Sequence, residues 1–304
     1  MTHTLLVEGG AAGLRLDVFL VQQLKLSRAK AKALLEEDKV RVDGRRATKG
    51  LSLTLGQRIE VTVQEDVPLA QDTAMELTVL HEDADLLFVD KPAGIPCHPL
   101  KSGEVRTVAS ALVARYPEVR EAAEEPREGG LCHRLDIETS GVLLAARSRE
   151  VWAKVREAFG KRDIDKVYWA VVTGPVPDEG EIELALVQRG SKVAPSDDAA
   201  GARPAHSLFR ALSRSKDATL VEMRIITGVM HQVRAHLAAI GAPIVGDALY
   251  GGRPMKGLDR FFLHARSVGL SHPRTKTRLH VMSELPPALT RVLQELELSP
   301  PTGR

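Results

Sequence analysis

The chain has 304 residues, with 42 Lys and Arg against 40 Asp and Glu, a formal net charge of +2. Near-balance excludes a histone-like polycation, and a hydrophobic content of 43% excludes a charge-rich disordered chain. Aromatics make up only 4%, too few for a surface that binds nucleic acid by stacking successive bases. Leu, Val and Ala must fill the core. The two cysteines, Cys97 and Cys132, cannot build a disulfide scaffold. The opening MTHTLLVEGG is too short and too polar for a signal peptide, and no run of about 18 uncharged apolar residues occurs. A cytoplasmic protein with no membrane contact is the expectation.

Charge is segregated along the chain. Residues 25–49 hold nine Lys or Arg against four acids, a local net of +5, whereas residues 64–90 hold eight acids and no Lys or Arg. That arrangement suits a basic face built for a polyanion. Leu16, Phe19, Leu20 and Leu24 recur at helical spacing. A second helix starts at Ser27 as N-cap, with Ala31, Leu34 and Leu35 on one face and Arg28, Lys30 and Lys32 mostly on the other. Val40, Arg41 and Val42 alternate into an Asp43-Gly44 turn beside Arg45 and Arg46, and Ile59, Val61 and Val63 alternate in a closing strand. Residues 1–63 therefore read as a small basic α/β domain. Residues 64–75, with Pro68 and little periodicity, read as a linker to a large domain over 76–304.

In the large domain the spacing predicts helices over 107–116, 151–159, 231–240 and 286–297. Strands are predicted at 141–146, 166–172, 181–187, 207–212, 219–227 and 277–282, after strands around Leu77, Val79 and residues 86–89. Strands outnumber helices without alternating with them, which favours an α+β fold with a mixed, largely antiparallel sheet over a doubly wound parallel one. Residues 189–204, small, polar and bearing Gly and Pro, read as a loop.

Three clusters can carry chemistry. The first, residues 132–141 (CHRLDIETSG), precedes the apolar run 142–146. A polar loop pressed against a buried strand places Asp136 where a scaffold can fix and partly desolvate it, with Thr139, Ser140 and Gly141 as the orienting turn. Its bland alternative is an ordinary turn with Asp136 as a cap and Arg134 as its exposed partner. The second is residues 227–237 (TGVMHQVRAHL), opening a helix that Gly241 would end. His231 and Arg234, three apart, share a face, and Arg234 can hold a carboxylate; a surface ion pair explains the spacing equally well. The third is a strand in which alternation separates Tyr168 from Trp169, one ring for the core and the other for a cleft, although both can simply pack.

HRLDxxTSG, preceded by residues 91–99 (KPAGIPCHP), resembles the signature of the RluA family of pseudouridine synthases. A Lys-x-Tyr strand, the Thr-Gly-x-x-His-Gln-x-Arg-x-His helix start, Gly246-Asp247 with Tyr250, and Leu263-His264-Ala265 ahead of His272-Pro273 extend the similarity over residues 76–290. The basic module ahead of it is similar to the ribosomal-protein-S-four-type RNA-binding fold. The resemblance implies a pseudouridine synthase fold and an isomerase that breaks the bond between ribose C1′ and uracil N1, rotates the base and rejoins it through C5, with no metal or redox cofactor. It places Asp136 at the catalytic position, Arg234 as its buried counter-charge and Tyr168 against the target ring. A uracil in folded RNA must be flipped out, at a cost of about a few kcal/mol. Arg134 matches the residue that fills the vacated place, where a planar guanidinium can stack and bond phosphate, and His133 joins it in the RNA-binding set with Arg28, Lys30, Lys32, Arg41, Arg45 and Arg46. The implied substrate is large-subunit ribosomal RNA or its precursor particle, with transfer RNA as the alternative, bound by a monomer.

Two departures from the family pattern stand out: Val229-Met230 where Arg-Thr is usual, and Ile137 where a basic residue commonly follows the catalytic Asp. They point to altered RNA contact or turnover rather than to a different fold. Two rival classes are a Cys/His zinc hydrolase, for which the spacing of Cys97-His98, Cys132-His133, His231 and His236 is wrong, and an RNA-binding or ribosome-assembly factor with a weakened site.

Overall fold

The structure, a computed structural model, describes residues 2–26, 28–48, 50–63, 69–101, 103–196 and 200–301. Ser27, the expected helix cap, and the side chain of Arg28 lie outside the described residues. The chain divides into two compact units, Met1–Asp66 and Val67–Arg304.

In the first unit, strands β1 (Thr2–Leu6), β2 (Val40–Val42), β3 (Arg45–Arg46) and β4 (Arg58–Thr62) form an antiparallel sheet in the order β1-β4-β2-β3. Helices α1 (Leu16–Leu24) and α2 (Arg28–Glu36) complete it. Leu16, Phe19 and Leu20 of α1 and Ala31, Leu34 and Leu35 of α2 are buried with Val40, Ile59 and Val61 in one core. The β2–β3 turn has positive φ at both central residues, 49° at Asp43 and 76° at Gly44. That is the geometry whose twist matches a hairpin's flanking strands, and Asp and Gly are the residues that tolerate it. Strand β1 escaped the sequence reading because its THTLL lacks clean alternation and lies at the sheet edge on β4.

The second unit is built on a nine-stranded sheet. In chain order its elements are β5 (Thr78–Glu82), β6 (Leu86–Lys91), α3 (Val108–Arg115), β7 (Ser140–Ala146), α4 (Arg149–Lys161), β8 (Asp165–Thr173) and β9 (Glu179–Glu183). They continue with β10 (Leu186–Arg189), β11 (Lys192–Pro195), β12 (His206–Arg214), β13 (Ala218–Ile225), α5 (Gln232–Ala239), β14 (Leu263–Ser271), β15 (Arg278–Met282) and α6 (Pro287–Glu295). The order is β5-β6-β7-β14-β8-β13-β12-β9, with β15 also on β14. Every pairing in it is antiparallel except β7 with β14, so the mixed, largely antiparallel α+β architecture is established.

Strands β6 and β7 are apolar at nearly every position because both their faces are covered. Leu87, Val89, Leu143 and Ala145 pack with Val108 and Leu112 of α3, while Leu86, Phe88, Val142 and Leu144 pack with Val151 and Val155 of α4. Each such Leu or Phe withdrawn from water contributes about 1.5–3 kcal/mol. At the head of β7 the parallel crossing leaves no room for a side chain. Gly141 has φ 116°, and a Cβ there would lie 2.2 Å from the Ala265 carbonyl oxygen of β14. The crossing thus pins the backbone five residues beyond Asp136.

Three sequence expectations change. Within 64–75, residues 69–75 are not a free linker: Leu69 is buried in the α3 core, and Asp72 accepts hydrogen bonds from the backbone N–H groups of Ala74, Met75 and Arg106, each at 3.1 Å. Residues 189–204 are not all loop, because β10 and β11 form a hairpin whose Val193 is buried against Leu186, Ala205 and Ala235. Strand β14 was missed altogether, since its LHARSVGLS intersperses polar residues that the centre of the sheet satisfies internally.

Candidate active site

The loop that carries Asp136 is held by its backbone before its side chains are considered. Lys91, fully buried at the end of β6, donates its three ammonium protons to the carbonyl oxygens of Pro92 (2.8 Å), Ile137 (2.8 Å) and Thr139 (2.9 Å). Burial pushes its pKa down to about 8. The N–H of Gly94 adds a second bond to the Ile137 carbonyl at 2.9 Å. On the other side of Asp136, the Cys97 sulfur accepts the Leu135 N–H at 3.2 Å and donates to the Leu135 carbonyl at 3.3 Å. Arg260 reaches the Glu138 carbonyl at 2.7 Å and Ser140 Oγ at 2.9 Å.

Ser140 does not orient Asp136 with its hydroxyl, as the sequence suggested. Its Oγ lies 2.9 Å from His264 Nδ1, and His264 Nε2 lies 3.1 Å from the Ser283 carbonyl. A carbonyl can only accept, so Nε2 carries the hydrogen, Nδ1 accepts and Ser140 donates. Burial pushes the His264 pKa down to about 4, consistent with the neutral ring this chain of bonds requires.

The Asp136 side chain, one-fifth exposed, receives Arg234 Nη1 at 3.1 Å from α5, a pairing across 98 residues of sequence. Arg134 is not its partner, so the turn-and-cap alternative fails. Arg234 is itself fixed by Asp247, 1% exposed, through Nε to Oδ2 at 2.6 Å and Nη2 to Oδ1 at 2.9 Å. Its guanidinium lies over the rings of Phe261 at 4.2 Å and Tyr250 at 5.0 Å. Burial alone would disfavour this cation, but Asp247 and Asp136 outweigh it and hold the pKa above its ordinary value. One rigid fork thus serves two carboxylates, which an ammonium on a flexible stem cannot do.

His231 stands just before α5 with φ 52° and brings Nε2 to 3.8 Å from Asp136 Oδ2. Its Nδ1 lies 3.0 Å from the Tyr250 hydroxyl, which accepts the Val193 N–H of β11 at 2.9 Å. Burial lowers the His231 pKa against the opposing pull of Asp136. On β8, Tyr168 and Trp169 take opposite faces: Trp169 belongs to the core, while the partly exposed Tyr168 lines the cleft. Burial and the nearby Asp136 carboxylate raise the Tyr168 pKa, so its phenol stays protonated.

These groups border a cavity of about 780 Å³, ample for a nucleotide. Among the described residues lining it, Asp136 is the only carboxylate, against Arg134, Arg156, Arg162, Lys166, Arg203 and Arg234. Arg134 is exposed and has no hydrogen bond or ion pair within the described residues. His133 also lines the cavity, but not as a cation. Its Nε2 accepts the Leu144 N–H at 3.1 Å, and burial with the nearby Lys166 and Arg156 pushes its pKa down to about 3. Any RNA contact it makes is therefore made as a neutral ring. Val229 and Met230 are apolar for a local reason: they pack with Leu186, Val193, Ala205 and Tyr250 beneath the β10–β11 hairpin.

The remaining expected RNA contacts lie in the first unit. Lys32, Arg41, Arg45 and Arg46 are exposed and Lys30 is partly so. Lys32 pairs with Glu36 at 3.6 Å, Arg46 with Asp38, and Arg41 bonds the Gly44 carbonyl at 3.1 Å. Sequence reasoning missed Asp247 as the brace of Arg234, although the Gly246-Asp247 pair was visible. It also missed Arg156, Arg162 and Arg203 and gave no role to Lys166 of the Lys-x-Tyr strand; the four come from three separate segments and converge only on folding. Among the described residues no group of three or more His, Cys, Asp or Glu is placed to hold a metal ion, and no helix is long and apolar enough to cross a membrane.

Known proteins resemble this chain over most of its length. Residues 85–239 match the RNA pseudouridylate synthase family, and residues 14–59 match the S4 domain. An uncharacterized RNA pseudouridine synthase of Mycobacterium bovis is 34% identical over 95% of this chain and 96% of its own length. The ribosomal large subunit pseudouridine synthase D of Pseudomonas aeruginosa is 31% identical over 90% of this chain and 89% of its own. Among solved structures, human RNA pseudouridylate synthase domain containing 4 superposes with a TM-score of 0.60 at 27% identity, covering 74% of this chain and 95% of that one. The braced carboxylate in a basic cleft, the mixed sheet and the S4 module therefore belong together: the chain is a member of the RNA pseudouridylate synthase family, an isomerase of the RluA type with an N-terminal S4 domain.

Proposed function

We propose that the protein converts specific uridines of large-subunit ribosomal RNA, or its precursor particle, to pseudouridine in the cytoplasm, acting as a monomer with Asp136 as nucleophile. The observation that carries the site assignment is the pairing of Asp136 with an Arg234 that Asp247 already braces. Residues 76–304 perform the chemistry and residues 1–63 supply RNA affinity through Arg28, Lys30, Lys32, Arg41, Arg45 and Arg46. The ribosomal preference is supported by similarity to proteins named for that substrate.

In this reading a uridine leaves the RNA helix and enters the cleft, and Arg134 takes its place in the stack. Its ring lies against Tyr168. As the C1′–N1 bond breaks, positive charge builds on C1′, and an ionised carboxylate facing it can bond to it or stabilise it. Arg234 sets a fixed positive charge against Asp136 and aims it. The detached uracil turns in place, C5 bonds to C1′, C5 gives up its proton and N1 gains one. Atoms and electrons balance within the substrate, so the reaction calls for neither a redox cofactor nor a metal. Pseudouridine mapping of total RNA with and without the protein tests the substrate. Sites in large-subunit ribosomal RNA that vanish on deletion support it, whereas sites lost only from transfer RNA assign the other substrate.

A further inference from the structure

Besides Lys91, which is buried beneath the loop, a buried ammonium lines the cleft, and the two differ in what they bond. Lys91 spends all three of its protons on carbonyl oxygens. Lys166, 8% exposed on β8, spends one, on the Thr227 carbonyl at 2.9 Å, and within the described residues it has no carboxylate partner. Lys166 itself lines the cleft. An ammonium withdrawn from water without a counter-charge is costly, and burial accordingly lowers its pKa to about 8. The Phe159 ring, its centre 5.9 Å from Nζ, offers a cation–π contact but no counter-charge. The surroundings deepen the imbalance. Arg156, Arg162 and Arg203 line the same cavity, and the only carboxylate among its described lining residues, Asp136, is already paired with Arg234.

Position then says which anion fits. Lys166 and Tyr168 are two residues apart on one strand, so they share a face at a spacing of roughly 6–7 Å. A nucleotide's own phosphate lies one sugar away from its base, a comparable span. We propose that Lys166 is the floor of a phosphate subsite that takes the backbone phosphodiester flanking the flipped uridine while Tyr168 receives the ring. The inference rests on the pseudouridine synthase reading of the cleft and adds a binding determinant to it. The subsite supplies binding and orientation from a group that does not react, which fixes C1′ against Asp136.

The test is a double-substitution cycle. The probe is a synthetic RNA stem-loop containing the mapped uridine, made with a neutral methylphosphonate at each flanking phosphate in turn. With the unmodified protein, one of these positions should raise KM by about tenfold, the size expected for a charge-assisted hydrogen bond. In Lys166→Met that position should have no further effect, while the other keeps its wild-type effect, and Lys166→Arg should restore part of the sensitivity. Lys166→Met should melt no lower than wild type, because it removes an unpaired buried charge. Equal sensitivity of wild type and Lys166→Met at both positions would overturn the assignment, as would a lowered melting temperature, which would make the ammonium a prop for the Thr227 carbonyl. If no RNA yields pseudouridine, the proposed reaction fails, but equilibrium binding of the same oligonucleotides still reports on the phosphate subsite.

Discussion

The two units handle positive charge in opposite ways. In the S4 unit Lys32, Arg41, Arg45 and Arg46 stand in water on a small sheet and helix, each with at most a neighbouring acid or carbonyl for company. In the cleft Arg234 is 7% exposed and locked by hydrogen bonds to Asp247 and Asp136 and by the rings of Phe261 and Tyr250. Exposed cations are strongly screened and hold no fixed geometry, so they supply affinity for a polyanion. A desolvated, bidentate cation holds geometry, and removing one partner is expensive. In the proposed function, affinity comes chiefly from the first unit and aim from the cleft.

The contrast breaks first at Asp247. Asp247→Asn leaves a buried guanidinium short of one counter-charge, at a cost of about 3–5 kcal/mol in stability. Urea denaturation should show that loss, and pseudouridine formation should fall well beyond any change in RNA binding. If stability is unchanged, the brace is not what fixes Arg234. A smaller effect belongs to the S4 unit. Replacing Arg41, Arg45 and Arg46 with Ala should weaken RNA binding and lower the slope of log affinity against log salt by about 0.9 for each phosphate no longer neutralised. The turnover of bound RNA should stay the same. An unaltered slope would show that this face does not meet RNA.

Most of the fold was legible where one local rule acts alone. The α1 and α2 faces, the Asp43-Gly44 turn and the end of α5 at Gly241 follow from spacing and backbone preference. Strand β14 was not, because its polar residues are satisfied by partners distant in sequence: His264 by Ser140 and Ser283, and Arg266 by Ser283 and Glu284. The site divides the same way. Asp136, His231, Arg234 and Tyr168 stood out as clusters, but the direction of Ser140, the neutrality of His133 and the bidentate brace from Asp247 depend on burial and on long-range pairings that no spacing encodes. The burial of Lys166 beside the cleft is hidden for the same reason.

The smallest effect is on pH dependence. His133, His236 and His264 are kept neutral by burial, with pKa values of about 3, 4 and 4, against about 6.5 in an unfolded chain. Between pH 6.5 and 4 the unfolded chain takes up protons that the folded one does not, so stability present above pH 6.5 is lost on acidification, by up to about 1.4 kcal/mol per pH unit for each ring. His264→Gln should flatten this dependence by one proton's worth in urea titrations at pH 7 and pH 5. An equally steep loss in the variant would remove His264 from the acid response.

The central claim is that the Asp136 carboxylate performs the chemistry and that RNA binding is supplied elsewhere. Asp136→Asn keeps the shape and removes the charge. Its direct test is pseudouridine formation on large-subunit ribosomal RNA from cells lacking the protein, measured beside RNA affinity for the variant and the wild type. The account predicts that affinity is retained and that the rate falls by roughly a thousandfold or more. Pseudouridine formed at the wild-type rate would contradict it.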